Sequence, residues 1–215
     1  MQDISTVTIV IIIANVLMSF KGFNDYAFFN QYSFKVGPIQ QGEKVRFLSS
    51  AFLHIDSTHL FVNMLTLYFF ANSVIAFIGI TGFIGVYFGS LLLGNLLSYY
   101  FHKTDYQYTA VGASGAVVGV LYASILLRPD MMLGLFFLIP VPAYVFGIGY
   151  LLYSIWAMKK GQDNIGHDAH FGGAMGGFFI TIILSPWVLQ AHALMVVLLL
   201  IPIVLLFVLK KMGKL

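Results

Sequence analysis

Charged residues divide the chain into long uncharged stretches whose lengths fit membrane-spanning helices. A transmembrane helix needs about 20 consecutive, mostly apolar residues. By that measure the five stretches have room for one, two, one, one and two helices, so the pattern predicts seven spans. The stretches are residues 4–20, 57–102, 106–127, 131–158 and 169–209.

Small and polar residues mark the expected ends of these helices. Residues 79–82 are the expected turn inside the second stretch, and Ser185 with Pro186 the expected break inside the last one. Residues 1–20 have no positively charged start and no clear cleavage site, so we expect them to remain as the first span. The connection over residues 21–56 is long, and we expect it to be partly structured at the membrane interface.

The composition is that of a membrane protein. Hydrophobic residues make up 60% of the chain and charged residues 9%, whereas soluble domains carry roughly 25% charged residues. The mean hydropathy is +0.91. We therefore expect an all-α fold, a polytopic transmembrane helical bundle whose main partner is the lipid bilayer.

The charge and cysteine counts exclude several kinds of site. The net charge of +3 is spread over loops, span ends and the C-terminal tail without a dense basic cluster, so we expect no nucleic-acid partner. The chain has no cysteine, which excludes disulfides, thiolate metal ligands and cysteine nucleophiles.

The first of three polar clusters spans residues 54–63, at the start of the second expected span. Polar groups are costly in hydrocarbon, which makes each of them a candidate functional residue. His59 and Asn63 are four residues apart and share one helix face, from which both can donate hydrogen bonds into a cavity. The alternative is that they hydrogen-bond neighbouring helices and serve packing alone.

The second cluster is a serine between glycines that opens an uncharged helix. Gly112 and Gly115 flank Ser114 closely, so the hydroxyl stays uncovered. A helix N-terminus also favours an anion at this position. Taken alone, Gly115 and Gly119 are equally typical of tight helix packing in membranes.

The third cluster places an imidazole at the start of a span beside a ridge of glycines. Gly173 and Gly177 would let the helix of His170 pack closely on a partner. If that partner is the helix of Ser114, the serine and the histidine can meet. The alternative is a packing helix that carries an interfacial histidine. Together, the three clusters supply a nucleophile, a base and oxyanion donors.

In register, the three clusters resemble the motifs of the rhomboid family of intramembrane proteases. Residues 54–63 resemble its second-span motif, residues 112–115 its GxSG motif on the fourth span, and residues 169–177 its AHxxGxxxG motif on the sixth. The resemblance covers about residues 1–190 and implies a six-helix protease core. Residues 191–215 then add one C-terminal transmembrane helix and a basic tail.

Two positions differ from the family pattern. The segment from Glu43 to Arg46 resembles the ExWR stretch of the family's first loop, with Val45 in place of the tryptophan. Many members carry an aromatic residue four positions after the serine, stacked on the catalytic histidine. Here that position is Val118, which removes some support for the ring of His170.

The resemblance implies an intramembrane serine endopeptidase that cleaves the transmembrane helices of membrane proteins. In that reaction Ser114 attacks the scissile carbonyl and His170 takes its proton. His59, Asn63 and the backbone N–H of Ser114 hold the oxyanion. The family needs neither a metal nor another cofactor, and we expect none.

Neighbouring residues receive supporting roles. His54, Gly112 and His167 are expected to line or support the cavity. Asp168 precedes His170 by two residues and on a helix points to a different face. We therefore expect a dyad rather than a Ser-His-Asp triad.

Substrate entry is expected past the fifth span. Pro140 and Pro142 are expected to bend that span. Its aromatic side chains are candidate gate residues: Phe146, Tyr150 and Trp156.

Two other functions remain open. A catalytically inactive rhomboid-like protein would bind transmembrane helices without cutting them. Such proteins typically lack the serine or the histidine, and both are present here. A channel or transporter is expected to show charged residues within its spans or paired broken helices, and the uncharged spans count against it.

The resemblance implies an N-terminus on the inner side and an active-site mouth on the outer side. Arg128 is then the one basic residue on the inner side and the other ten lysines and arginines lie outside, the reverse of the positive-inside rule. No eukaryotic targeting signal is evident, and we expect a multi-pass protein of a bacterial plasma membrane. The sequence defines neither the substrate nor the oligomeric state.

Overall fold

The protein is described by a computed structural model over residues 4–135, 139–160 and 166–215. Residues 1–3, at the start of the expected first span, and residues 136–138, inside the fourth stretch, lie outside this description. The helices are α1 (Thr6–Asn24), α2 (Tyr26–Tyr32), α3 (Val36–Gln40), α4 (Arg46–Ser49), α5 (Ser57–His102), α6 (Ser114–Leu127), α7 (Ala143–Lys160), α8 (His167–Leu184), α9 (Val188–Ala191) and α10 (Ala193–Lys211). Short strands are β1 (Phe34–Lys35), β2 (Thr109–Ala110), β3 (Met132–Leu135) and β4 (Ile139–Pro142).

The architecture is the expected all-α polytopic bundle of membrane-spanning helices. Within the described residues α1, α5 and α10 are long and apolar enough to cross a membrane. Between them lie α6, α7 and α8, which pack with α5 and α10 into one bundle. The protein is therefore a multi-pass membrane protein.

The helix α5 contains two spans that meet at Gly79. This residue has φ +71° and ψ 176°, a non-helical conformation that glycine adopts without the penalty that a β-carbon brings. Both arms reach the same end of the bundle, because His59 of the first arm and Gly94 of the second lie near the first turn of α6. The predicted turn at residues 79–82 is confirmed.

The centre of the bundle is α6. Every residue of this helix after Ser114 is buried, as expected for a helix that is apolar on all sides. Its 14 residues span about 21 Å, less than the roughly 30 Å of hydrocarbon core. One end of α6 therefore lies inside the core, so Ser114 can sit below the membrane surface.

Glycines let α6 and α8 pack backbone to backbone. A β-carbon at Gly173 would collide with the carbonyl oxygen of Gly115, and one at Gly177 with that of Gly119. We call this contact between α6 and α8 the glycine seam. The second arm of α5 packs against the same seam, where a β-carbon at Gly94 would lie 2.6 Å from the carbonyl of Ala169. The predicted packing of the His170 helix on the Ser114 helix is confirmed.

The fourth stretch, which holds the expected fifth span, differs from its prediction. Strands β3 and β4 form an antiparallel pair, with Met132 opposite Pro142, and α7 begins only at Ala143. The expectation that Pro140 and Pro142 bend the fifth span is wrong, because both lie in β4, before the helix. Proline fixes φ and disfavours helical geometry in the residue before it, so two prolines in alternation keep this segment extended.

The last stretch breaks where the sequence predicts. Helix α8 ends at Leu184, Ser185 has non-helical geometry, and the short α9 leads into α10. The C-terminal helix packs against α7, where Leu199 lies close to Gly147.

The long first connection is structured, as expected, and Arg46 organises it. The Arg46 side chain is buried and donates from Nη1 to the carbonyls of Asn30 and Ser33, each at 2.8 Å. Its guanidinium also pairs with Glu43 at 2.6 Å. The connection joins the segment before α6 through the pairing of β1 with β2. It therefore holds the chain that leads into the serine turn.

Candidate active site

Ser114 and His170 meet at the first turns of α6 and α8. Nε2 of His170 lies 2.6 Å from Oγ of Ser114, a short hydrogen bond. Both side chains are half-buried. The first N–H groups of a helix lack intrahelical partners and favour a negative charge, and here two helix N-termini face one site. The geometry puts a hydroxyl beside a base where an anion would be stabilised.

The turn before Ser114 depends on Gly112. Its φ of +129° lies in the left-handed region that side chains rarely adopt. The Gly112 N–H donates to the carbonyl of Ser50 at 3.0 Å, and the Ala113 N–H donates to Nε2 of His54 at 3.4 Å. Ser114 is the first residue of α6, so its N–H has no acceptor within the helix. The turn therefore fixes the direction of that N–H.

His54 is buried in the segment that joins the first connection to α5. Ser19 Oγ donates to the carbonyl of Phe52 at 3.0 Å and lies 2.8 Å from Nδ1 of His54. Because the hydroxyl hydrogen is already used, Nδ1 carries the ring hydrogen and Nε2 accepts from Ala113. Burial, and then the nearby His59, lowers the pKa of His54 to about 3, which keeps the ring neutral. His54 thus supports the serine turn.

His59 and Asn63 lie on one face at the start of α5. Asp56 caps the helix, its Oδ1 accepting from the His59 N–H at 2.7 Å. The Asn63 side chain is buried and donates from Nδ2 to the carbonyl of His59 at 3.0 Å. This bond uses one of the two N–H donors of the amide. The predicted shared face is confirmed.

The imidazole of His59 lies over Gly112. A β-carbon at Gly112 would lie 2.9 Å from Nε2 of His59 and 3.6 Å from Oγ of Ser114. Glycine keeps this space open. A small oxygen there would be within reach of both the serine and the His59 ring, which is the arrangement that oxyanion stabilisation requires.

Tyr150 of α7, a candidate gate residue in the sequence, also contacts His170, which the sequence does not predict. Its Oη lies 2.6 Å from Nδ1 of His170, on the far side of the ring from Ser114. The spacing of Phe146 and Tyr150 shows that they share a helix face. It does not show that this face meets α8, which only the packing of the bundle decides.

The other two gate candidates lie differently. Phe146 stacks on Tyr150 with ring centroids 5.9 Å apart, so it packs toward the site. Trp156 is exposed and lies beside Lys160, whose ammonium is 5.0 Å from the indole. Phe146 therefore lies on the side of α7 that faces the site, whereas Trp156 lies on the exposed surface.

Asp168 faces away from the site, as its spacing predicts. Tyr108 Oη donates to Asp168 Oδ1 at 3.4 Å, and Nε2 of His102 lies 3.3 Å from Oδ2. The rings of His102 and Tyr108 stack at 3.6 Å. This buried carboxylate therefore ties α8 to the end of α5 and to the segment before β2.

His167 is the first residue of α8 and is buried. Its ring packs edge-on against His170, with centroids 6.0 Å apart, and against Tyr153 at 5.5 Å. Of its two expected roles, lining and support, its position fits support.

A family model for the Rhomboid domain matches residues 41–187, which include all three polar clusters. RHOMBOID-like protein 12, mitochondrial, of Arabidopsis thaliana is 31% identical over 182 residues, 77% of this chain and 54% of that protein. The Presenilin-associated rhomboid-like protein, mitochondrial, of Homo sapiens is 33% identical over 138 residues, 61% of this chain and 36% of that protein. Rhomboid protein 1, mitochondrial, of Saccharomyces cerevisiae is 32% identical over 142 residues, 62% of this chain and 40% of that protein.

The chain thus spans about half or less of the length of these curated relatives. All three are named as mitochondrial proteins, which conflicts with the bacterial plasma membrane expected from the sequence.

Proposed function

Because the chain belongs to the rhomboid family, we propose that it is an intramembrane serine endopeptidase that cleaves transmembrane helices of membrane proteins. The observation that carries the proposal is the distance of 2.6 Å between Oγ of Ser114 and Nε2 of His170. A chain that only bound helices would have no need of this contact beside a helix N-terminus.

In the first half of the reaction Ser114 is the nucleophile. Its hydroxyl proton passes to Nε2 of His170 while Oγ bonds to the scissile carbonyl carbon. The carbonyl oxygen becomes an oxyanion, for which His59, Asn63 and the Ser114 N–H are the proposed donors. His170 then protonates the leaving nitrogen as the C–N bond breaks, which leaves an acyl ester on Ser114.

In the second half water takes the place of the amine. His170 accepts a proton from the water as its oxygen attacks the ester carbon. The proton returns to Ser114 as the C–O bond of the ester breaks and the new carboxyl end leaves. Water has to reach a site below the membrane surface, and the half-buried position of both side chains is consistent with such access.

The substrate has to be opened before it can be cut. A transmembrane helix keeps its carbonyls in hydrogen bonds, so a segment must unwind for Ser114 to reach one. We expect glycine or proline near the scissile bond to favour cleavage, since both destabilise helices. Residues 1–190 are assigned to the protease core, and residues 191–215 to an added helix and tail supported by α7.

Cleavage of a single-span substrate in liposomes tests the proposal. Purified wild type, Ser114→Ala and His170→Ala would be compared by gel, with the products sized by mass spectrometry. The proposal predicts a cut within the transmembrane segment by wild type alone. Equal cleavage by all three proteins would refute the dyad, and binding of the substrate without cleavage by wild type would favour the inactive helix-binding alternative.

A further inference from the structure

The imidazole of His170 is held at both nitrogens. Nε2 contacts Ser114 on α6, and Nδ1 lies 2.6 Å from Oη of Tyr150 on α7. The three side chains form one continuous line of hydrogen-bonding groups from α7 through α8 to α6. The third member of this line is a phenol, where hydrolases with a triad have a carboxylate.

Tyr150 contacts His170 through its ring as well as through its hydroxyl. Its ring stacks on that of His170 with centroids 6.1 Å apart and planes at 26°. Phe146, one turn earlier on α7, also stacks on Tyr150, with planes at 14°. Val118, one turn after Ser114 on α6, has no ring to offer His170. The stacked aromatic ring on the imidazole therefore comes from α7, in addition to the edge-on contact of His167 on α8.

The proposed reaction requires the neutral imidazole of His170 to carry its hydrogen on one particular nitrogen. Nε2 can accept the serine proton only when the hydrogen of the neutral imidazole is on Nδ1. In that tautomer Nδ1 donates to Oη of Tyr150. After proton transfer both ring nitrogens are donors, and Oη accepts from the imidazolium in the same geometry.

We propose that Tyr150 is a positioning residue that orients His170 and selects its Nδ1-protonated tautomer. The inference rests on the proposed function, since the tautomer matters only if His170 accepts a proton from Ser114. Its two parts are the hydrogen bond from Nδ1 and the stacking of the phenol ring on the imidazole.

The substitution Tyr150→Phe separates these two parts, because it keeps the ring and removes Oη. Tyr153→Phe is the matched control on the same helix, since the ring of Tyr153 packs on His167 rather than on His170. We expect Tyr150→Phe to lower kcat by about 10- to 100-fold, taking as a guide the range for losing a partner that orients a metal-binding histidine. KM should stay within about twofold, because substrate binding does not use this bond. Tyr153→Phe should keep both parameters.

Nitrogen NMR of protein labelled with ¹⁵N-histidine measures the tautomer without using activity. The signal of His170 is the one that disappears in His170→Asn. Wild type and Tyr153→Phe should show protonated Nδ1 and unprotonated Nε2, and Tyr150→Phe should show a shift toward the other tautomer.

Unchanged kcat in Tyr150→Phe with an unchanged His170 spectrum would overturn the inference. An increase in kcat would overturn it too, because it would mean that the tyrosine restrains His170 in an unproductive form. If wild type cleaves nothing, the proposed function fails, and the NMR comparison still decides whether Tyr150 selects the tautomer.

Discussion

Gly173 of α8 packs directly against the carbonyl of Gly115 on α6. Gly115 follows Ser114, and Gly173 lies almost one turn after His170. The approach of the two backbones at this point therefore sets the distance between the serine and the histidine. Gly177 and Gly119 repeat the contact one turn further along, so the two helices keep this separation.

Replacing Gly173 by alanine should therefore damage both stability and activity. The new β-carbon has no room beside the Gly115 carbonyl, so the helices must separate. Such overpacking typically costs about 1–3 kcal/mol. A displacement near 1 Å at the reacting atoms can lower the rate by about 100-fold.

Thermal unfolding in detergent and a cleavage assay would measure both effects. Gly149→Ala is the control, since it adds the same methyl group to α7 in open space, where alanine favours a helix by up to about 1 kcal/mol. Wild-type stability and activity in Gly173→Ala would contradict this role of the seam.

Gly112 is required both for its positive φ and for the space that it leaves beside His59. A second glycine, Gly42, allows the two requirements to be tested separately. Gly42 also has a positive φ, +107°, but nothing lies within 4 Å of its β-carbon position. Gly112→Ala and Gly42→Ala should share the backbone strain, about 1 kcal/mol or more. The Gly112 variant alone should lose most of its kcat, because its methyl group collides with His59. Equal activity of the two variants, measured at equal amounts of folded protein, would argue against a functional space above Gly112.

The proposed oxyanion donors should contribute less than the dyad. Asn63→Ala should lower kcat by about 100- to 1000-fold, the range for one such donor. Ser114→Ala should abolish turnover. Thr66→Val is the control on the same helix, since Thr66 is half-buried and its hydroxyl donates to the carbonyl of Val62 in an exposed hydrogen bond. An Asn63→Ala enzyme with wild-type kcat would remove Asn63 from the site.

The burial of His54 predicts that the stability of the protein depends on pH. Its pKa in the fold is about 3, against 6.5 for the free side chain, so the fold favours the neutral ring. The unfolded chain binds the proton more readily, so the contribution is complete above pH 6.5 and is lost as the pH falls toward 3. The loss is about 1.4 kcal/mol per pH unit below 6.5.

Melting temperatures measured from pH 7.5 to 5 would test this dependence. We expect His54→Gln to melt lower than wild type at pH 7.5 and to lose less stability as the pH falls. Identical pH slopes for the two proteins would mean that His54 does not titrate as its burial indicates.

The sequence predicted the parts of the fold that follow from the cost of polar groups in a membrane. Uncharged stretches gave the number of spans, and the turn at Gly79 and the break at Ser185 followed from local chemistry. The meeting of the helices of Ser114 and His170 followed from glycines at matching spacing.

Other features depend on contacts that composition does not show. The uncharged fourth stretch contains the extended segment with Pro140 as well as α7, and a count of charges cannot separate them. The contact of Tyr150 with His170 was not predicted, because the spacing of Tyr150 gives a helix face but not the neighbour of that face. The hydrogen bond from Ala113 to His54 joins residues far apart in the chain, so no local sequence pattern predicts it.

The central claim is that His170 activates Ser114, and the most direct measurement is the reaction of the serine with a fluorophosphonate probe. Wild type, Ser114→Ala and His170→Ala would be incubated with the probe in detergent, and the modified residue located by peptide mass spectrometry. The account predicts one adduct, on Ser114 of the wild type, with labelling at least about 100-fold slower in His170→Ala. Labelling at equal rates with and without His170, or an adduct on another serine in the wild type, would contradict it.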